Sequence, residues 1–181
     1  MKKIIYLLVL ISINTIAQTK YFTKTGTISF EASVPSFEEV KAKNSSSTAI
    51  INTENGEFAA LALVKGFRFK NALMEEHFNE NYAESDKYPK AIFKGNIVDF
   101  SFDKLKNGKN TFIIKGELTF HGKTVMLEDT KVKVTFKEGL LNISGNFITD
   151  PANFNIEIPK IVRNKVAKDI NVFFNFSMKK K

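Results

Sequence analysis

The chain has 181 residues, no cysteine, no tryptophan, 18 phenylalanines and a formal net charge of +8. Without cysteine there can be no disulfide and no lipid anchor on an N-terminal cysteine, so the core alone must stabilise the fold. Apart from Lys179-Lys180-Lys181, the lysines are scattered, and no basic cluster alternates with stacking aromatics, which argues against nucleic-acid binding. Scattered lysines are typical of a solvated face, with a weak attraction to anionic membrane surfaces as the alternative.

The first 18 residues read MKKIIYLLVLISINTIAQ. Lys2 and Lys3 precede an apolar run over 4–13 that is too short to span a bilayer, and Thr15-Ile16-Ala17 fits a signal-peptidase site. This pattern predicts a signal peptide at 1–17, one mature domain at 18–181 and export to the periplasm or the medium; an uncleaved N-terminal anchor is the alternative. Loss of the two lysines would lower the net charge from +8 to +6.

Most of the remaining chain alternates apolar and polar residues with the period of half-buried strands. One polar and one apolar face favour antiparallel pairing. Asn55-Gly56 and Asn107-Gly108 predict type I′ turns, and His121-Gly122 and Glu138-Gly139 predict tight hairpins. The predicted strands lie near 20–32, 47–54, 57–65, 90–102, 110–120, 123–136, 140–148, 153–158 and 168–179, with a polar loop at 44–47.

Two segments break the strand period. Residues 36–40 predict one helical turn capped by Ser36. Residues 71–82 predict an amphipathic helix, because its apolar residues form one stripe opposite several carboxylates. Pro89 ends the loop after this helix and is compatible with the first position of the next strand. The fold class is therefore predicted to be all-β, an extended antiparallel barrel with one short amphipathic helix at about 71–82.

The sequence offers little support for catalysis. Its two histidines, His77 and His121, are not spaced as metal ligands, and there is no G-x-S-x-G elbow or glycine-rich phosphate loop. A pair of catalytic carboxylates, as in glycosidases, is the alternative that stays open, because the sequence does not show which acidic side chains meet. We therefore expect no enzyme activity, no metal and no cofactor.

The phenylalanines fall mainly at inward-facing strand positions. A barrel of about eight strands is nearly filled by side chains and has room for one small ligand. An apolar lumen would take an apolar guest, whereas the alternative is a plain aromatic core without a cavity. The residues expected to line the lumen are Phe67, Phe69, Met74, Phe78, Phe93, Phe112, Leu118, Phe120 and Phe147.

Several stretches occur in an order and spacing that identify a family. They are Gly66-Phe67-Arg68-Phe69, the helix from Asn71 to Tyr82, Tyr88-Pro89-Lys90-Ala91-Ile92-Phe93, Gly116-Glu117-Leu118-Thr119-Phe120-His121-Gly122, and the segment from Phe147 to Pro159. Together, residues 20–178 resemble the YceI-like family, the polyisoprenoid-binding domain of bacterial periplasmic and secreted proteins. Two departures stand out: residues 28–35 carry no histidine, and residues 150–154 carry no arginine, so the headgroup contacts of the family do not carry over.

The resemblance implies a lipocalin-like barrel whose apolar tunnel holds a long isoprenoid chain, with no catalysis and with dimers as well as monomers. We therefore expect an exported protein that sequesters or carries a long-chain apolar lipid. Two alternatives stay open: a handling partner that supplies an isoprenoid quinone to membrane redox enzymes, and a ligand-free interaction or stress module with a filled barrel. In either lipid-binding case the polyisoprenoid or quinone would be cargo.

Overall fold

A computed structural model describes residues 19–181, so the predicted signal peptide at 1–17 lies outside the described residues. Two helices accompany the strands: α1 (Ala72–His77), which continues as a π-helical turn over Phe78–Tyr82, and α2 (Phe102–Lys106). Short 3-10 turns span Val64–Gly66 and Pro151–Phe154. The strands are β1 (Lys20–Ser33), β2 (Lys41–Asn52), β3 (Glu57–Leu63), β4 (Arg68–Phe69), β5 (Lys90–Ile97), β6 (Thr111–Phe120), β7 (Lys123–Lys137), β8 (Leu140–Thr149) and β9 (Val166–Lys180).

Eight of these strands form one closed antiparallel barrel. The order of neighbours is β1-β9-β8-β7-β6-β5-β3-β2, and β1 pairs with β2 to complete the ring, while the two-residue β4 adds to β2. Closure removes most of the unpaired edges that an open sheet would expose. The predicted all-β, lipocalin-like barrel with a short helix at 71–82 is confirmed.

The two ends of the barrel differ. At one end, here called the closed end, Tyr21, Ile51, Ile97, Phe112 and other buried residues form the main core. The α2 segment covers this end, where Phe102 and Leu105 pack against the core. The opposite end, here called the mouth, carries the three long connections 34–40, 64–89 and 150–165. The closed end therefore provides the packed core, and the mouth is bordered by irregular segments.

The type I′ turns lie at two of the four predicted hairpin sites. His121 and Gly122 have φ of 48° and 71°, and Glu138 and Gly139 have φ of 52° and 78°, as this turn requires at both central positions. The type I′ prediction for Asn107-Gly108 was wrong, because Asn107 has φ −81° and ends α2, with Gly108 in the left-handed conformation that commonly follows a helix.

At Asn55-Gly56 the type I′ prediction was also wrong. Of its two residues only Gly56 has a positive φ, 76°, so the β2–β3 connection is a different turn. Glycine is nevertheless required there, because φ is positive and an added Cβ would lie 2.6 Å from the Ile97 carbonyl oxygen.

Three further predictions of local structure were wrong. The strand at 153–158 is absent; Asp150 instead caps a 3-10 turn that begins with Pro151, which has no N–H for a strand ladder. The strand predicted over 90–102 ends at Ile97, because Ser101 accepts a hydrogen bond from the Lys104 N–H and starts α2. The helical turn at 36–40 does not form, and Ser36 has φ 75°.

The polar run 44–47 belongs to β2, which begins at Lys41 and not near residue 47. Asn44 is fully buried; its amide donates to the Leu63 carbonyl at 2.9 Å, and its Oδ1 accepts from the Ser46 N–H at 2.9 Å. The register between β1 and β2 shifts opposite this stretch, between Gly26 and Ile28. The polar run that the sequence predicts as a loop is therefore part of an irregular strand, and its polar groups form hydrogen bonds with one another and with the backbone.

Candidate functional site

An apolar cavity of about 510 Å³ runs from the middle of the barrel to the mouth. Phe58, Ile114 and Phe176 form its base above the closed-end core, and the three long mouth connections all contribute to its rim. Among its few polar lining residues are Glu38, His77, Thr130 and Lys165. A concave, mostly apolar pocket with a few polar groups is the usual form of a small-molecule site.

Eight of the nine residues predicted to line the lumen do so: Phe67, Phe69, Met74, Phe78, Phe93, Leu118, Phe120 and Phe147. Phe112 lies elsewhere. It is 2% exposed in the closed-end core, with its ring centroid 5.6 Å from that of Phe100. The connection that carries α2 folds over the start of β6 and encloses this position. Contact of the eight residues with a ligand stays a prediction.

Four phenylalanines cluster on one side of the mouth. The Phe30 ring centroid lies 5.4 to 5.7 Å from those of Phe67, Phe69 and Phe78. Sequence analysis missed Phe30 as a lining residue, although it lies on the inward face of β1 with Ile28 and Ala32. The cluster joins β1 to the α1 region, so it packs the mouth connection 64–89 against the barrel wall.

Further lining residues that were not predicted come from β9 and from the connection before it. Ile170, Val172, Phe174 and Phe176 alternate along β9 and all face the cavity, so the period-2 pattern contained this signal. In the segment 150–165, Phe154, Ile156 and Ile158 also alternate with polar residues although the segment is not a strand, whereas its other lining residues follow no regular period. Its lining residues are Pro151, Phe154, Ile156, Ile158, Val162 and Lys165.

Glycines on the inner wall make room for phenylalanine rings. Gly95 and Gly116 face each other across β5 and β6, and a Cβ added to either would lie 2.8 Å from Phe93 Cζ. Gly145 stands in the same relation to Phe174, and Gly26 to Phe176. Each ring thus lies against bare backbone, which lets bulky side chains line the barrel without filling it.

The helical segment at the mouth is built by caps and side-chain bonds. Asn71 Oδ1 accepts from the N–H groups of Leu73 and Met74, at 2.9 and 3.3 Å, and begins α1. In the π-helical turn the Ala83 N–H donates to the Phe78 carbonyl at 2.8 Å, a bond spanning five residues. The segment directs Met74, Phe78 and Tyr82 into the cavity. Such π-turns are often found at functional sites.

The barrel wall separates near the mouth between β7 and β8. These strands pair only over 132–137 and 140–145; beyond Gly145, β8 pairs with β9 alone, and β7 before Val132 pairs with β6 alone. The 3-10 turn at 151–154 packs beside β7, and the buried Phe154 ring lies edge-on to Phe120 at 5.6 Å. Leu127, Thr130 and Phe147, which border this gap, all line the cavity.

A polar cluster joins three mouth segments. His121, in the β6–β7 turn, places Nδ1 2.8 Å from the Phe154 carbonyl oxygen and Nε2 3.0 Å from Glu84 Oε2. The Tyr88 ring packs against the imidazole at 4.7 Å between centroids. A carbonyl oxygen can only accept a hydrogen bond, so the Nδ1–H group of His121 donates to the Phe154 carbonyl. Interaction with Tyr88, and to a lesser extent the charge of Glu84, raises the pKa of the exposed Lys87 side chain above its usual 10.5.

No group of three or more His, Asp or Glu side chains within residues 19–181 is arranged to hold a metal ion. In the same part of the chain, no helix combines the length and the apolar character that crossing a membrane requires.

The fold is similar to BcnA of Burkholderia cenocepacia, with TM-score 0.70 and 16% identity over 84% of this chain and 95% of that one. It is also similar to a polyisoprenoid binding domain from Saccharophagus degradans implicated in plant cell wall breakdown, with TM-score 0.72 and 12% identity over 90% and 98% of the two chains. A YceI protein of Campylobacter jejuni gives TM-score 0.61 and 13% identity over 82% and 88%.

At these identities the solved structures establish the fold alone. None of the curated proteins compared with this chain matches it. The family model of the YceI-like domain matches residues 13–178, nearly the whole length of the chain. Family membership therefore rests on the sequence and agrees with the observed barrel: the chain belongs to the YceI-like domain family.

Proposed function

We propose that this protein is an exported binding protein that sequesters or carries a long-chain apolar lipid of the polyisoprenoid type. The observation that carries this proposal is the cavity of about 510 Å³, apolar over almost its whole lining and bordered by mouth connections. The similarity to a polyisoprenoid binding domain supports the choice of ligand class. No catalytic step is proposed for this site.

Burial of the chain would supply the affinity. Each CH₂ group transferred from water to an apolar surface contributes about 0.8 kcal/mol, so a few isoprene units suffice without any polar contact. Such a site separates tails of similar length poorly, since one methylene changes binding by only about 1–3 kcal/mol. Specificity would therefore come from the polar groups at the rim.

The cavity bears on the two alternatives. A ligand-free module with a filled barrel requires an interior packed by side chains, and the open volume argues against it. A quinone-handling role would use the same apolar lining, so it differs from the first proposal only in the headgroup of the cargo.

The test is native mass spectrometry, with organic extraction, of the protein purified from an exporting bacterial host. A bound lipid in a 1:1 ratio with isoprenoid mass spacing would support the proposal, and a redox-active headgroup would identify the quinone alternative. Protein without lipid that also takes up no added polyprenyl or quinone analogue would exclude a carrier role.

A matched pair of variants separates the lumen from the barrel exterior. Ala60 is buried and lines the cavity, whereas Ala59 precedes it on the opposite face of β3. Ala60→Phe should reduce lipid uptake by filling the lumen, while Ala59→Phe should leave uptake unchanged. Equal uptake by both variants would show that the lipid binds elsewhere.

Export is part of the proposal and has its own test. If residues 1–17 are a signal peptide, protein recovered from the periplasm or the medium should begin at Gln18. Recovery of an intact N-terminus, in the cytoplasm or held at the membrane, would contradict the export proposal and leave the lipid-binding proposal standing.

A further inference from the structure

The segment from Ile158 to Lys165, here called the basic loop, faces two environments. Ile158, Val162 and Lys165 line the cavity, and hydrogen bonds from the Val162 and Lys165 N–H groups, at 3.0 and 2.8 Å, fold the loop into successive turns. Ile161 points the other way and is 83% exposed, the highest value among the exposed large apolar side chains. One short loop is therefore both a wall of the cavity and a part of the outer surface.

The charge of the basic loop is of one sign. Lys160, Arg163 and Lys165 are all exposed, and the stretch 158–168 contains no carboxylate. Among residues 19–181, no carboxylate oxygen lies within 4.0 Å of these three cations, whereas the neighbouring Lys168 is paired with Asp150 at 3.6 Å. The Arg163 guanidinium donates to the Ile158 carbonyl at 3.3 Å, which helps hold the loop's turn.

The other two mouth connections also expose one large apolar side chain each. Phe37 in 34–40 is 44% exposed and Leu73 in 64–89 is 57% exposed. Their carboxylates are partly neutralised, since Glu75 is paired with Arg68 and Glu39 lies 3.9 Å from Lys41. Glu38 in connection 34–40 and Glu76 and Glu80 in the helical segment have no cationic side chain within 4.0 Å among residues 19–181, so an anionic surface should approach from the side of the basic loop.

We propose that the basic loop docks the mouth onto an anionic lipid bilayer, with Ile161 inserted among the headgroups and Lys160, Arg163 and Lys165 facing their negative charge. This inference rests on the proposed lipid-binding function, because it explains how a water-insoluble chain would pass between bilayer and cavity. Cations near an anionic leaflet attract it, and an apolar side chain among them adds interfacial burial. The basic loop would thus contact the bilayer on one side and line the cavity on the other.

The test measures binding of the mature, full-length protein to vesicles of equimolar phosphatidylglycerol and phosphatidylcholine, by co-sedimentation. Each cation near such a surface contributes about a factor of five in affinity, so Lys160→Gln/Arg163→Gln should bind about 25-fold more weakly. The matched control is Lys131→Gln/Lys133→Gln on the outer face of β7, which lowers the net charge equally. Ile161→Asp should also weaken binding, whereas Ile148→Asp, which changes an exposed isoleucine of β8, should not.

Equal loss of binding in the two double variants, or no vesicle binding by the wild-type protein, would overturn the inference. Binding to pure phosphatidylcholine that persists in 1 M salt would also overturn it, because salt at that concentration screens electrostatic attraction beyond about 3 Å. Concentration-dependent dimerisation that Ile161→Asp abolishes, with vesicle binding unchanged, would assign the loop to a second copy and overturn it too. The lipid content of the same preparations, measured by mass spectrometry, tests the carrier function independently.

Discussion

His121 and Glu84 are 37 residues apart in the chain, yet His121 Nε2 lies 3.0 Å from Glu84 Oε2 at the mouth of the barrel. The same imidazole uses Nδ1 to reach the Phe154 carbonyl at 2.8 Å. One side chain thus connects the loop after the π-turn, the β6–β7 hairpin and the 3-10 turn beside the β7–β8 gap. These are the segments that shape one side of the cavity mouth.

Removing this connection should destabilise the mouth. We expect His121→Ala to cost about 1–3 kcal/mol, because the Phe154 carbonyl loses its donor in a partly buried position. Glu84→Gln should cost less than about 1 kcal/mol, since the Glu84 side chain is 41% exposed and water screens its pair with His121. Urea unfolding of the two single variants and the double variant measures both costs and their coupling. A His121→Ala variant as stable as wild type would show that the contact does not stabilise the fold.

The paired glycines beneath Phe93 should not tolerate a side chain. A Cβ at Gly116 would lie 2.3 Å from the Lys94 carbonyl oxygen and 2.8 Å from Phe93 Cζ, and the first of these atoms is backbone. We expect Gly116→Ala to lower the free energy of unfolding by about 1–3 kcal/mol through overpacking. The measurement is chemical denaturation, with intrinsic lipid content recorded in parallel.

The control for this variant is Gly139→Asn. Gly139 has φ 78° with nothing within 4 Å of its added Cβ, and asparagine tolerates the left-handed region better than most residues. It should therefore unfold at a denaturant concentration close to that of wild type. A Gly116→Ala variant as stable as wild type would contradict the prediction, because it would show that the Lys94 carbonyl and Phe93 yield to the added Cβ without cost.

Asn71 has two separable roles at the start of α1. Its Oδ1 caps the helix, and its Nδ2 donates to Glu38 Oε1 at 3.0 Å, which links the helix to connection 34–40. We expect Asn71→Ala to cost about 0.5–2 kcal/mol through loss of the cap. Asn71→Asp keeps the cap but loses the donor and places a second carboxylate beside Glu38. If Asn71→Asp loses as much stability as Asn71→Ala, the link to Glu38 matters and the cap does not.

A charge in the lumen should abolish lipid binding. Phe120 lines the cavity and packs against Phe154, so Phe120→Asp would place a carboxylate in an apolar site, where burial of an unpaired charge is costly. We expect the variant either to lose bound lipid or to unfold, as measured by native mass spectrometry and circular dichroism. Lys115→Asp, at an exposed outward position of the same strand, should do neither. A folded Phe120→Asp protein that retains lipid would show that Phe120 does not contact the ligand.

Regular segments were predictable, and irregular ones were not. Strands β6, β7 and β9 follow from alternation, because each has one wet and one dry face. The alternation continues through 98–102 and 153–158, but Ser101 and Asp150 act as caps there and end the strand conformation. Capping residues are recognisable in a sequence only when a helix is already suspected, and α2 has just five residues.

The position of the candidate site was predictable in outline. Six of the eight cavity residues were predicted from inward strand positions, and Met74 and Phe78 from the helix. Inward alternation also selected Phe112, whose side chain lies at the closed end. Alternation reports which face of a strand a residue occupies and carries no information on its depth along the barrel axis. Depth depends on register and on which connection covers each end, and both are properties of the assembled barrel.

The sequence by itself determined the family, the antiparallel barrel, the apolar interior and the helix near the mouth, because local period, turn residues and motif order encode each of them. Only the tertiary structure decided which end is closed, where β7 and β8 part, and how His121, Glu84 and the Phe154 carbonyl meet. The physical reason is that these features depend on contacts between segments distant in sequence. The same holds for Ile161, whose exposure beside the cavity follows from how the connection 150–165 packs across the mouth.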